Sequence, residues 1–157
     1  MLPKECLSKD GYIINQTKMQ SVVRGDFKTS YNGCGWIAVY NLMKLLDKPV
    51  HYKKVIDTIG AELPLDGLFG TGVTRIMKAL KTLGVHACKH LNTPGTVGII
   101  LYAHKRGFHY VAYQRVEDGR LHLYNDVQGK EDDIITWEEF RKERALLGAA
   151  LCINANR

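Results

Sequence analysis

FHYVAYQRVEDGRLHLYND, residues 108–126, decides how the second half of the chain folds. Phe108 to Val116 is rich in aromatic and β-branched residues and reads as a strand. Val116 to Arg120 carries Asp118-Gly119, a pair suited to the positive φ of a tight hairpin turn. Leu121 to Asn125 is then the returning strand. Two antiparallel strands joined by a tight turn fix the character of the sheet they belong to.

Working outward, TVGIILYA (96–103) is an apolar run that predicts a central strand, and Val85 to His90 predicts another. AALCINA (149–155) is a short apolar run that predicts a buried strand closing the sheet. Thr136 caps a short helix from Trp137 to Arg144, with Glu138 and Glu139 in the first turn, where negative charge is favoured. Upstream the pattern changes to a helical period. Cys34 to Leu46 is apolar almost all round and predicts a buried helix. Tyr52 to Ile59 predicts a second helix. Val73 to Leu83 predicts a third, with Thr71 as cap and Gly84 as stop. Gly11 to Asn15 reads as one short strand. Helices first and an antiparallel sheet after them make an α+β fold in a single domain, residues 1–157.

The composition, 45% hydrophobic and 24% charged, is that of a globular protein with a sizeable core. The net charge of +6 is spread over helix faces, with no basic stripe interleaved with aromatics, which argues against nucleic-acid binding. No apolar stretch has transmembrane length, so membrane insertion is not expected. The first residues lack the continuous apolar segment of a signal peptide, and a secreted mature form would look the same. Cytoplasmic residence is the expectation. The four cysteines, Cys6, Cys34, Cys88 and Cys152, form no CxxC pair, which argues against a zinc ribbon. Cys88 and Cys152 lie in strand-like runs and read as structural.

Cys34 stands apart. It lies between Gly33 and Gly35 at the start of the first helix. There the unsatisfied N–H groups and the macrodipole favour an anion, and the thiolate is the nucleophilic form. The glycines leave room for a substrate backbone, and the Cys34 N–H is a candidate oxyanion donor. A cysteine nucleophile needs a base, usually histidine. Of six histidines, His109 opens a strand directly after the loop HKRG, a position that holds an imidazole rigidly at a cleft mouth. A third group fixes the imidazole tautomer. Asn125 and Asp126 end the neighbouring strand. Side-chain alternation puts them on opposite faces, so one of the two serves.

Together these features resemble a papain-like cysteine peptidase. More narrowly, they resemble the bacteriocin-processing, double-glycine peptidase group and its stand-alone bacterial relatives. The resemblance rests on NGCGWIAVYNLMKLL (32–46), GTGVTRIMKALKTLGVHACKH (70–90), FHYVAYQRVEDGRLHLYNDVQG (108–129) and ITWEEFRKE (135–143). It implies a helical half packed on an antiparallel sheet, and a hydrolase that cleaves amide bonds of a peptide or protein through a thioester. Cys34, His109 and Asn125, with Asp126 in reserve, would carry the reaction. The spacing of Gly129 and the face shared with Leu121 and Leu123 favour Asn125. The family places an oxyanion-hole glutamine shortly before the cysteine. Lys28 stands at that position here, and Gln16, in YIINQ, is the expected substitute.

Trp36, Phe108 and Tyr110 are candidate cleft walls. The loop LPLDGLFGTG (63–72) lacks the lysine of a phosphate loop and reads as another wall. His86, Cys88 and His90 alternate along one strand in a metal-competent set, but strand histidines beside an aliphatic helix read as structural; neither metal nor cofactor is expected. Two further readings fit the same residues: an acyltransferase or amidase acting on a small molecule, and a catalytically silent binding module.

Overall fold

Alternation along the strands explains the architecture. In β4 (Val97–His104), Val97 and Ile99 face one way and Ile100 and Tyr102 the other; all four are buried. The same split separates Tyr110 and Ala112 from Val111 and Tyr113 in β5 (Gly107–Arg115). A sheet apolar on both faces must be covered on both. Three helices cover one face: α1 (Cys34–Leu45), α2 (Tyr52–Ile59) and α3 (Val73–Thr82). A fourth, α4 (Trp137–Glu143), covers the other through Phe140.

This computed structural model describes residues 1–19, 23–24, 27–28, 33–60, 71–105, 107–127 and 129–156. Within them, β1 (Val23–Arg24) pairs with β2 (Phe27–Lys28) as a small separate ladder. The main sheet adds β3 (Ala87–Leu91), β6 (Leu121–Tyr124), β7 (Ile134–Ile135) and β8 (Ala150–Ala155) to β4 and β5. Its order is β3-β8-β4-β5-β6-β7, every pair antiparallel. The expected α+β fold is therefore present, with β4 central. AALCINA does not close the sheet at its edge. It inserts between β3 and β4, where both its ladders are used. Gly98 permits this approach, because a Cβ there would collide with the Ile153 carbonyl.

Helix α1 is sandwiched between the sheet and the other helices, which is why it is apolar all round; ten of its twelve residues are buried. Thr136 caps α4 as expected and forms a full capping box with Glu139. Thr71 does not cap α3. Gly72 holds that position, and the Thr71 side chain is buried against Gly35 of α1.

The strand expected at 11–15 does not form; a single bridge, Leu7 to Ile13, is present between two 3-10 turns. The cause is Asn41. Its side-chain amide accepts from the Ile13 N–H (2.9 Å) and donates to the Ile13 carbonyl (2.8 Å), so that residue's hydrogen bonds go to α1 rather than to a neighbouring strand. No helix among the described residues is long and apolar enough to cross a membrane.

Candidate active site

Cys34 is the first residue of α1 and is 9% exposed. Gly33 precedes it at the N-cap and offers no side-chain cap to the first N–H groups of the helix. Burial by itself pushes the thiol pKa up. A hydrogen bond and charge interaction with His109 outweigh it, aided by main-chain hydrogen bonds from Tyr110 and Gly35, and the thiol ends below its ordinary value. His109 responds in kind. Burial alone would lower its pKa, but Cys34, the Asn125 main chain and the Asp126 charge raise it. Each partner drives the other toward a thiolate–imidazolium pair.

The imidazole is held firmly. His109 is 7% exposed, and its Nε2 lies 2.7 Å from the Asn125 carbonyl oxygen. A carbonyl only accepts, so Nε2 carries a proton and donates. That fixes the tautomer and leaves Nδ1 for the thiol. The rings of Tyr102 and His104 stand edge-on to the imidazole, at 5.8 and 5.9 Å between centroids.

The orienting contact differs from the one expected. It comes from Asn125, but from its main chain and not its side chain. Residue 125 has φ +70°, so β6 stops at Tyr124 and the alternation that would aim its side chain along the strand face is broken. The Asn125 side chain turns instead to Gln16. Its Oδ1 accepts from the Gln16 N–H at 3.0 Å, and its Nδ2 donates to the Gln16 Oε1 at 2.8 Å. Asp126 is buried beside it and does not bond the imidazole. Its carboxylate accepts from the Tyr102 hydroxyl and pairs with Arg144. Arg144 in turn grips Asp133 with two bonds of 2.6 and 2.8 Å.

Of the other candidates, Trp36 is fully buried core. Tyr110 is also buried, and its hydroxyl donates to the Thr71 carbonyl at 2.8 Å. Phe108 is 71% exposed, next to His109. The space beside Gly35 is taken by Thr71: a Cβ there would lie 2.8 Å from the Thr71 Cβ and Oγ1, so the glycine admits a neighbouring loop residue. Most of the loop 63–72, with Tyr31 and Asn32 before the cysteine, lies outside the described residues.

Cys152 is buried, its thiol pushed up to about 11 by burial, as a structural cysteine should be. Cys88 is exposed on the edge strand β3, contrary to expectation. Among the described residues no group of three or more acidic, histidine or cysteine side chains is placed to hold a metal.

Asn41, Tyr102, Asp133 and Arg144 were not singled out by sequence. Asn41 left a signal, an amide within a helix apolar all round, since a buried amide must find partners. Arg144 and Asp133 left none, because a charge at the end of a short helix and one in an acidic loop ordinarily face water.

No family model matches the chain, and neither does any curated protein. Solved structures do. The peptidase domain of Streptococcus ComA, a bifunctional ABC transporter of a quorum-sensing pathway, superposes with a TM-score of 0.56 at 16% identity; the match covers 83% of this chain and 95% of that domain. A double-glycine motif protease from an AMS/PCAT transporter, solved with its leader peptide, gives 0.54 at 18%, covering 84% and 89%. At such identities the likeness is one of fold. The chain has the α+β, papain-like fold of these peptidase domains.

Proposed function

We propose that the chain is a cysteine-dependent peptidase that cleaves an amide bond through a thioester acyl-enzyme. The observation that carries this is the pairing of a buried thiol at a helix N-terminus with a buried imidazole, each shifting the other toward its charged form. Cys34 attacks the carbonyl carbon as thiolate, forming the C–S bond while the carbonyl π electrons move to oxygen. His109, as imidazolium, protonates the departing amine as the C–N bond breaks. Water, deprotonated by the neutral imidazole, then cleaves the thioester and restores the thiol. The Asn125 carbonyl holds the ring throughout. The Cys34 N–H and the Gln16 side-chain amide are the proposed oxyanion donors.

The fold shared with two peptidase domains, one of them solved with a peptide, supports a peptide substrate. Four free cysteines, two of them buried away from the site, fit the reducing cytoplasm. The reading is tested by labelling with a thiol-directed acylating probe. Wild type is expected to label quickly, Cys34→Ala not at all, and His109→Ala slowly. Equal labelling of wild type and His109→Ala refutes the dyad.

A further inference from the structure

The Asn125 side chain takes no part in the reaction above. It is nonetheless 2% exposed and bonded at both ends to one residue. Resting on the peptidase reading, we propose that Asn125 is a positioning residue for Gln16: its side chain sets the direction of the Gln16 amide, while its main chain holds His109.

The direction follows from the chemistry of the pair. Asn125 Nδ2 is a donor, so it takes the Oε1 end of the Gln16 amide. The NH2 end, the only end able to stabilise an oxyanion, is thereby turned away from Asn125. The second bond, from the Gln16 N–H to Asn125 Oδ1, fixes the backbone that carries the amide. Gln16 begins a 3-10 turn, and three residues earlier Ile13 is clamped by Asn41 on the nucleophile's own helix. The segment delivering Gln16 is thus pinned by one side-chain amide from α1 and one from the end of β6.

The left-handed backbone at residue 125 makes the double use possible. With β6 ended there, the carbonyl meets His109 while the side chain leaves on the other side toward Gln16. Asparagine tolerates this conformation better than any other residue with a side-chain amide. This arrangement places a glutamine from well upstream of Lys28 beside the residue that holds His109.

Two probes separate this role from orientation of the histidine. Iodoacetamide reports only the thiolate, since alkylation displaces iodide at saturated carbon and builds no oxyanion. p-Nitrophenyl acetate acylates Cys34 through a tetrahedral oxyanion and releases p-nitrophenolate. Both are applied to the full chain as wild type, Asn125→Gly, Gln16→Ala and the double variant. Glycine keeps the positive φ and the carbonyl at 125.

The expected result is an alkylation pH profile unchanged in all three variants. Acylation should fall on the order of 10²-fold in each single variant, and no further in the double. The inference is overturned if Asn125→Gly moves the alkylation profile toward that of an ordinary cysteine, if Gln16→Ala acylates at the wild-type rate, or if the two losses multiply. A wild-type profile already that of an ordinary cysteine overturns the peptidase reading, and this inference with it.

Discussion

Replacing Gly35 by alanine distinguishes two reasons for a glycine beside a nucleophile. If the glycine gives room to a substrate, the variant should fold as well as wild type and react poorly. The structure points to packing. The added Cβ would lie 2.8 Å from both the Cβ and Oγ1 of Thr71 and 3.5 Å from Ile76 Cδ1. Comfortable carbon contacts begin near ~3.5 Å. Thr71 yields poorly, because its side chain is β-branched and its carbonyl is held by the Tyr110 hydroxyl. Overpacking of this kind costs up to about 3 kcal/mol. The helix propensity gained by alanine returns about 1 kcal/mol. The net loss is then up to about 2 kcal/mol, which at that limit is roughly 4–8 °C in Tm for a chain of this size. Thermal denaturation of Gly35→Ala reads it directly, and Thr71→Gly in the same background should recover part of the loss by removing the colliding atoms. A Gly35→Ala protein that melts at or above wild type, yet has lost its thiol reactivity, would refute the packing argument.

Other consequences are as concrete. Arg144→Met strands Asp126 and Asp133, both buried, and should cost about 3–5 kcal/mol in denaturant unfolding, with Arg144→Lys intermediate because it loses the two-pronged grip on Asp133. Alkylation of Cys34 should rise with pH through a midpoint below the ordinary thiol range, because the folded thiol pKa is lowered; His109→Ala should move that midpoint upward. Turnover needs thiolate and imidazolium together, so it should fall on the acid side as Cys34 protonates and on the alkaline side as His109, whose pKa is raised, loses its proton. Asn41→Ala leaves the Ile13 N–H and carbonyl without their partner and should lower stability by about 2 kcal/mol in the same unfolding assay.

Much of the fold was legible because its elements are governed by local pattern. The all-round apolar α1, the Asp118-Gly119 hairpin and the Thr136 cap each carry their instruction within a few residues, and each is found where it was expected. The meeting of Cys34 with His109 was legible as well, one marked by its helix start and the other by its place at a strand's beginning. What escaped depends on residues far apart in the chain. Nothing near Gly35 announces that Thr71 will lie over it. At residue 125 the asparagine itself is the one local hint of a left-handed backbone, and alternation carried one residue too far assigned its side chain to the histidine. The strand expected at 11–15 failed for the same reason, since its partner proved to be a side-chain amide on α1.

The placement of β8 bears on how the molecule is born. A chain emerging from the ribosome can close the β4–β5–β6 meander while it grows, because those pairings are local. Strand β3 cannot join, as its one neighbour among the described residues is β8, with Leu91 waiting for Leu151. Until residue 155 is available, β3 and the outer side of β4 present unpaired ladders, which are templates for intermolecular pairing. The pairing that ends this exposure spans much of the chain and is intrinsically slow. A nascent or prematurely terminated protein would therefore hold its histidine hairpin in nearly finished form beside an open, aggregation-prone edge.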